Sequence, residues 1–216
     1  MSEQSSAFIR TYRWVAFGLA LYFGLYMFWT ADWDYFGLHF RFLTIWALYA
    51  YLVSSALLLR RSLGSTTQEW NALISASVVL GLIVVFMYWR LYFIDPSLVN
   101  SGPVTWWLEY YLHLIGPLLL LIDSFFFLGA FRRIVATLGI TLGIFVAYVA
   151  WIELLVRPLN VYPEGSKENG LPYPFLNNMD EGARMQFYGS MILTVLVILG
   201  LCWGAAALLR RVRRSQ

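Results

Sequence analysis

The chain has 216 residues, of which 60% are hydrophobic and only 12% are charged, and its net charge is +3 at pH 7. Soluble domains average about 25% charged residues, so this composition excludes an ordinary water-soluble domain. We predict one integral membrane domain over residues 1–216. Its excess of positive charge favours contact with anionic lipid headgroups and argues against nucleic-acid binding.

Six apolar stretches follow one another along the chain, and each is long enough to cross roughly 30 Å of hydrocarbon as a helix. The predicted fold is therefore an all-α bundle of six transmembrane helices. The spans are predicted near residues 13–29, 40–59, 73–94, 106–127, 134–155 and 187–209. The first stretch has no small-residue cleavage site, so we interpret it as a retained span and not as a signal peptide.

Most of the fifteen Lys and Arg residues cluster at alternate ends of these spans. The clusters are Arg10/Arg13, Arg60/Arg61, Arg132/Arg133 and the four arginines between residues 210 and 214. Cytoplasmic loops are enriched in Lys and Arg, so both termini are predicted to be cytoplasmic. The same rule places the long loop 157–186 outside. We expect order in this loop around Leu171–Leu176, which is apolar and aromatic.

Two pairs of glycines in the last two spans have the GxxxG spacing, which lets helix backbones approach closely. They are Gly139–Gly143 and Gly200–Gly204. The spacing predicts packing of these two spans on each other, and a homodimer through the same faces is the sharper alternative.

A few ionisable residues lie within the predicted spans, where such groups usually face a partner or a cavity. They are Arg90, Glu109, His113, Asp123 and Glu153. Glu109 and His113 are four residues apart and therefore share a helix face, so the carboxylate can hold the imidazole in one tautomer. Pro117 removes the helical hydrogen bond to the carbonyl of His113.

Thr44 lies about one turn inside the second span, and His113 lies about two turns inside the fourth span from the same side. At 1.5 Å per residue their depths differ by only several ångströms, so a helix tilt would bring them together as a nucleophile and base. Other interpretations remain open. Thr44 can bond to its own backbone, the polar residues can line a transport path, or the bundle can act as a scaffold.

The metal-binding side chains are few. Cys202 is the one cysteine of the chain, and there are two histidines, so neither a cysteine cluster nor a tetrahedral zinc site is predicted. A haem held by two histidines would need both His39 and His113. We predict no cofactor and no metal.

Several short blocks of this sequence have the order and spacing of motifs in one known family. They are Phe42-Leu43-Thr44, the pattern W-x-x-Y-x-x-D formed by Trp89, Tyr92 and Asp95, the ten-residue spacing from His113 to Asp123, and Tyr173-Pro174-Phe175-Leu176 followed by Gly182-Ala183-Arg184. Over roughly spans 2 to 6 they resemble the androgen-induced-gene-one family of six-span membrane proteins. This family includes hydrolases of fatty acid esters of hydroxy fatty acids, and its nucleophile is a threonine with a histidine partner.

The resemblance implies that Thr44 and His113 are catalytic in an intramembrane lipid-ester hydrolase, with membrane lipids and the ester as its partners. Supporting or substrate-binding roles are expected for Glu109, Arg90, Tyr92, Asp95, Asp123 and Tyr173. Among these, Arg90 suits a fatty carboxylate because a guanidinium binds it as a fork. An insertion around Tyr162–Gly170 departs from the family pattern. The expected location is a bacterial inner membrane or an endomembrane.

Overall fold

A computed structural model describes residues 7–99, 104–160 and 170–215. Within these residues the chain is helical and has no strand, which confirms the predicted all-α class. The long helices are α1 (Ala7–Trp29), α2 (Leu43–Ser62), α3 (Asn71–Ile94), α4 (Trp106–Leu128), α5 (Ile134–Leu159) and α6 (Glu181–Arg214).

Five helices in the described part of the chain, α2 to α6, are long and apolar enough to cross a membrane, so the protein is a multi-pass membrane protein. Helix α1 has 23 residues but does not belong to this group. It carries Arg10, Arg13 and three tyrosines, which reduce its mean hydropathy. A sixth span and the cytoplasmic placement of both termini stay predictions.

Helix α3 lies at the centre of the bundle, because it contacts α2, α4, α5 and α6. Its side chains are mostly apolar around the whole helix, as expected for a buried helix, and Val79 and Leu80 have no exposed surface. A Cβ at Gly81 would come within 3.2 Å of the Pro117 side chain. Glycine at this position therefore lets α4 approach α3 at the proline.

A buried ion pair joins α1 to α4. Two nitrogens of the Arg13 guanidinium lie 2.8 Å from the two carboxylate oxygens of Asp123, and a third donates to the carbonyl of Leu58 at 3.3 Å. Both side chains are at most 3% exposed. Arg13 was counted in the first basic cluster, and the structure shows that it is buried, with its guanidinium fork matched to the carboxylate of Asp123.

The glycine pairs do not pack α5 against α6. The two helices contact each other, but Gly139, Gly143, Gly200 and Gly204 are all exposed, and a Cβ at any of them would meet no atom within 4 Å. The predicted packing of the two spans on each other is therefore confirmed, but the glycines do not mediate it, because the GxxxG faces point away from the described part of the bundle. A homodimer through them stays a prediction.

The segment between α5 and α6 is shorter than the predicted loop 157–186, since α5 continues to Leu159 and α6 begins at Glu181. The expected order around Leu171–Leu176 is confirmed, because both leucines are 2% exposed. The side chain of Asn177 bonds to the backbone N–H and carbonyl of Leu171. Residues 161–169, which contain nearly all of the predicted insertion, lie outside the described residues.

Candidate active site

The chain before α2 is fixed by aromatic side chains. The carbonyl of Phe40 accepts hydrogen bonds from the indoles of Trp46 at 2.8 Å and Trp151 at 3.1 Å. The carbonyl of Arg41 accepts one from the Tyr148 hydroxyl at 2.9 Å. Phe42 is extended, and α2 starts at the next residue. This anchoring places Thr44 in the first turn of α2, where backbone N–H groups have no partners within the helix.

His113 lies in a π-helical turn, Tyr111–Ile115, of α4. Pro117 has no N–H to bond to the carbonyl of His113. The indole of Trp89 on α3 donates to this carbonyl at 2.9 Å. The ring of Tyr88 stacks on the imidazole, with centroids 3.6 Å apart and planes 9° from parallel. The imidazole is therefore held both through its backbone and on its face, and it is only 6% exposed.

The Thr44 hydroxyl and the His113 imidazole meet at hydrogen-bonding distance. Thr44 Oγ1 lies 3.3 Å from His113 Nε2, and Glu109 Oε2 lies 3.0 Å from His113 Nδ1. Nδ1 makes its hydrogen bond with the backbone carbonyl of Glu109 at 3.2 Å, and a carbonyl oxygen only accepts hydrogen bonds, so the tautomer with its proton on Nδ1 is favoured. Nε2 is then the acceptor that faces the threonine. Glu109, His113 and Thr44 form a chain suited to proton transfer from the hydroxyl.

Thr44, His113 and Glu109 line a cavity of about 340 Å³ between the helices. Apolar side chains dominate its lining, including Leu43, Ile83, Phe145 and Met191. The polar side chains that line it are His39, Arg41, Thr44, Tyr88, Glu109, His113, Tyr148, Tyr173 and Tyr188. A mostly apolar cavity with a few converging polar groups is typical of a site for a small lipid-like molecule.

Tyr173 reaches the start of α2 from the segment between α5 and α6. Its hydroxyl accepts a hydrogen bond from the backbone N–H of Leu43 at 3.1 Å. Burial raises the pKa of the Tyr173 phenol, while the hydrogen bond from the Leu43 N–H acts in the opposite direction. Because the net shift is upward, the phenol keeps its proton at neutral pH.

Four of the predicted supporting residues are not among the described residues that line the cavity. Arg90 is exposed. Tyr92 packs in an aromatic cluster with Tyr88 and Trp106. Asp95 caps a short turn, where hydrogen bonds from Ser97 lower the pKa of its carboxyl. Asp123 pairs with Arg13. The structure thus brings Thr44, His113, Glu109 and Tyr173 together and leaves these four elsewhere.

Sequence reasoning missed Arg41 and Tyr148 as cavity residues. The guanidinium of Arg41 lies 3.9 Å from the centroid of the Tyr35 ring and 4.9 Å from that of Phe42. Its closeness in sequence to Thr44 was an available signal. Burial lowers the pKa of His39, and the charge of Arg41 lowers it further against the opposing effects of Thr30 and Asp32. At neutral pH Arg41 therefore supplies the positive charge here.

Glu153, the remaining ionisable residue predicted within a span, anchors the N-terminal end of α6. It accepts hydrogen bonds from Arg184 at 3.1 Å and from the Tyr188 hydroxyl at 2.8 Å, and it pairs with Arg157 at 3.1 Å. Across the described ranges, no three His, Cys, Asp or Glu side chains are grouped as metal ligands.

Comparison with known protein families gives a match over most of the chain. The sequence profile of the FAR-17a/AIG1-like protein family, which is the androgen-induced gene 1 family, matches residues 9–205. The match also extends over α1, which the resemblance in the sequence did not cover. No curated protein and no solved structure matches the chain.

Proposed function

The chain belongs to the FAR-17a/AIG1-like family, and from this membership together with the site we propose that it is an intramembrane lipid-ester hydrolase. Its substrates would be fatty acid esters of hydroxy fatty acids or similar lipid esters. The observation that carries the proposal is the 3.3 Å contact between Thr44 Oγ1 and His113 Nε2 in an apolar cavity.

In the proposed reaction Thr44 Oγ1 attacks the ester carbonyl carbon while its proton passes to His113 Nε2. The bond from that carbon to the alkoxy oxygen then breaks, and His113 returns the proton to the leaving alcohol. Water attacks the resulting acyl-threonine, with His113 again taking a proton, and releases the fatty acid. Glu109 keeps His113 in the required tautomer throughout, because its backbone carbonyl accepts from Nδ1 and its carboxylate lies beside the same nitrogen.

Labelling with a long-chain fluorophosphonate tests the nucleophile. We expect the wild-type protein in detergent micelles to be labelled and Thr44→Ala to fall to background, since the probe reacts with an activated hydroxyl. Thr137→Ala is the matched control, because Thr137 is a buried threonine whose hydroxyl bonds to its own helix. Mass spectrometry of the labelled peptide is the readout. Label that remains in Thr44→Ala would remove this residue from the mechanism.

A second prediction concerns the end of the substrate that carries a free carboxylate. Arg41 lines the cavity beside the segment that leads to Thr44, so we propose it, in place of Arg90, as the group that binds this carboxylate. A hydrogen bond between charged groups contributes about 1.5–3 kcal/mol. Arg41→Gln is therefore expected to raise KM about 10- to 100-fold for an acid-bearing ester and to change little for its methyl ester.

The control for Arg41 is Arg90→Gln, because Arg90 is an exposed arginine outside the cavity lining. This variant is expected to hydrolyse both esters like the wild type. Equal changes for the acid and the methyl ester in Arg41→Gln would contradict the carboxylate contact, although the hydrolase assignment would stand.

A transport path gains little support from the geometry. His113 and Asp123 are ten residues apart on α4, about 15 Å along the axis. The two described cavities nearer Asp123 measure only about 10 and 20 Å³. The carboxylate of Asp123 is occupied by its ion pair with Arg13. The polar groups therefore form two separate clusters in the described bundle, and no second function is proposed.

A further inference from the structure

Tyr173 is held rigidly beside the proposed nucleophile. Pro174 begins the short helix Pro174–Asn177, and the Asn177 side chain bonds to the carbonyls of Leu171 and Tyr173. The phenol ring packs edge-on against Phe42 and stacks on Phe175, with centroids 5.6 Å apart in each case. The position of its hydroxyl is thus fixed by the fold before any substrate binds.

The hydrogen bonds around this hydroxyl leave its own proton available. The backbone N–H of Leu43 donates to the phenol oxygen at 3.1 Å, so this oxygen already acts as an acceptor. The neighbouring hydroxyls are those of Thr44 and Tyr148. Tyr148 already gives its own proton to the carbonyl of Arg41. Tyr173 is therefore the phenol at this point of the cavity with a hydrogen to donate next to Thr44.

We propose that the Tyr173 hydroxyl is the oxyanion donor of the reaction, an inference that rests on the proposed hydrolase function. When Thr44 Oγ1 bonds to the carbonyl carbon, the π electrons of the carbonyl move to its oxygen, which becomes negatively charged. The proton of Thr44 goes to His113, and Tyr173 donates its hydrogen bond to the new oxyanion. When the carbonyl re-forms, the alkoxy group leaves with the proton from His113.

The change in bonding makes this donor selective for the transition state. Before attack, Tyr173 can donate to a neutral hydroxyl, Thr44 or Tyr148. During attack Thr44 Oγ1 becomes an ester oxygen, a poorer acceptor, while the adjacent carbonyl oxygen gains charge. An interaction that strengthens only in the transition state raises kcat more than it lowers KM. The Leu43 N–H at the phenol oxygen further polarises its O–H bond and makes it a better donor.

Tyr173→Phe tests the assignment, because it removes the hydroxyl and keeps the ring packing. Loss of one oxyanion donor costs roughly 10²–10³-fold in kcat, so we expect this loss with KM changed only a few-fold. We also expect a long-chain trifluoromethyl ketone, which adds to Thr44 and carries an oxyanion, to lose affinity by a similar factor. A long-chain amide that mimics the uncharged substrate should bind as to the wild type.

The control is Tyr148→Phe, which removes a second phenol hydroxyl of the cavity but is expected to change binding of the ketone and the amide by the same factor. Parallel losses of ketone and amide binding in Tyr173→Phe would overturn the proposal in favour of a packing role, and so would a wild-type kcat. If Tyr173→Phe does not fold, 3-fluorotyrosine at position 173 replaces it. This more acidic phenol should bind the ketone more tightly, and unchanged or weaker binding would overturn the proposal.

These results are separable from failure of the hydrolase assignment itself. Full activity in Thr44→Ala would end the proposed function and, with it, the oxyanion role. Activity that is lost in Thr44→Ala but normal in Tyr173→Phe would overturn only the role of Tyr173.

Discussion

Replacing His113 by alanine is expected to slow hydrolysis of a long-chain ester by about 10²–10⁴-fold, the usual contribution of a general base. The loss should fall on kcat, because the imidazole acts on the proton of Thr44 and not on the acyl chains. The measurement is steady-state hydrolysis of the ester in detergent micelles. Partial recovery of the rate on addition of imidazole would identify a missing base, since the 340 Å³ cavity has room for this molecule.

His39→Asn is the matched control for this experiment. It removes the other histidine of the chain, which also lines the cavity but is not the imidazole that contacts Thr44. Its kcat is expected to stay near the wild-type value. Because His113 also stacks on Tyr88, the unfolding temperature of His113→Ala must be compared with that of the wild type. A folded His113→Ala protein with normal kcat would contradict the role of the histidine as the base.

The approach of Thr44 to His113 was predictable because it depends on how far along the bundle axis each residue lies. Residue counting along two helices that enter from the same side places both groups within several ångströms along the bundle axis. The helical spacing of Glu109 and His113 likewise predicted their contact. What counting cannot give is the rotation of each helix about its axis. For this reason Arg90 was expected at the site and is exposed, whereas Arg41, in the turn before α2, lines the cavity.

Sequence patterns likewise do not give the neighbour that a helix face meets or the path of a connecting segment, which matters for the four glycines and for the Tyr173 phenol. GxxxG spacing says that two small residues share a face, but not which neighbour the face meets. Gly139 and Gly200 are exposed in the described bundle. Tyr173 was predicted through a family resemblance. It is 130 residues from Leu43 in sequence, yet its hydroxyl accepts a hydrogen bond from the Leu43 backbone. Such a contact depends on the path of the segment between α5 and α6, which no local pattern encodes.

The bond between Arg13 and Asp123 leads to the second large expected effect. Removal of one partner from a buried ion pair leaves the other charge without compensation and costs about 3–5 kcal/mol. Asp123→Leu is therefore expected to lower the free energy of unfolding by about this amount, since both side chains are at most 3% exposed. The loss is measured by unfolding in mixed micelles. The surface pair Arg132–Glu69 supplies the control, because Arg132 is half exposed and Glu69→Gln should cost less than about 1 kcal/mol.

The double variant Arg13→Met with Asp123→Leu separates the cost of an unpaired charge from the value of the pair. Apolar replacement of both partners in a buried pair is often neutral or stabilising, so the double variant is expected to be more stable than Asp123→Leu alone. It should also keep its fluorophosphonate labelling at Thr44, because Asp123 lies outside the cavity lining. Equal instability of the single and double variants would mean that the two charges do not stabilise each other. Loss of labelling in a stable double variant would instead tie Asp123 to the chemistry.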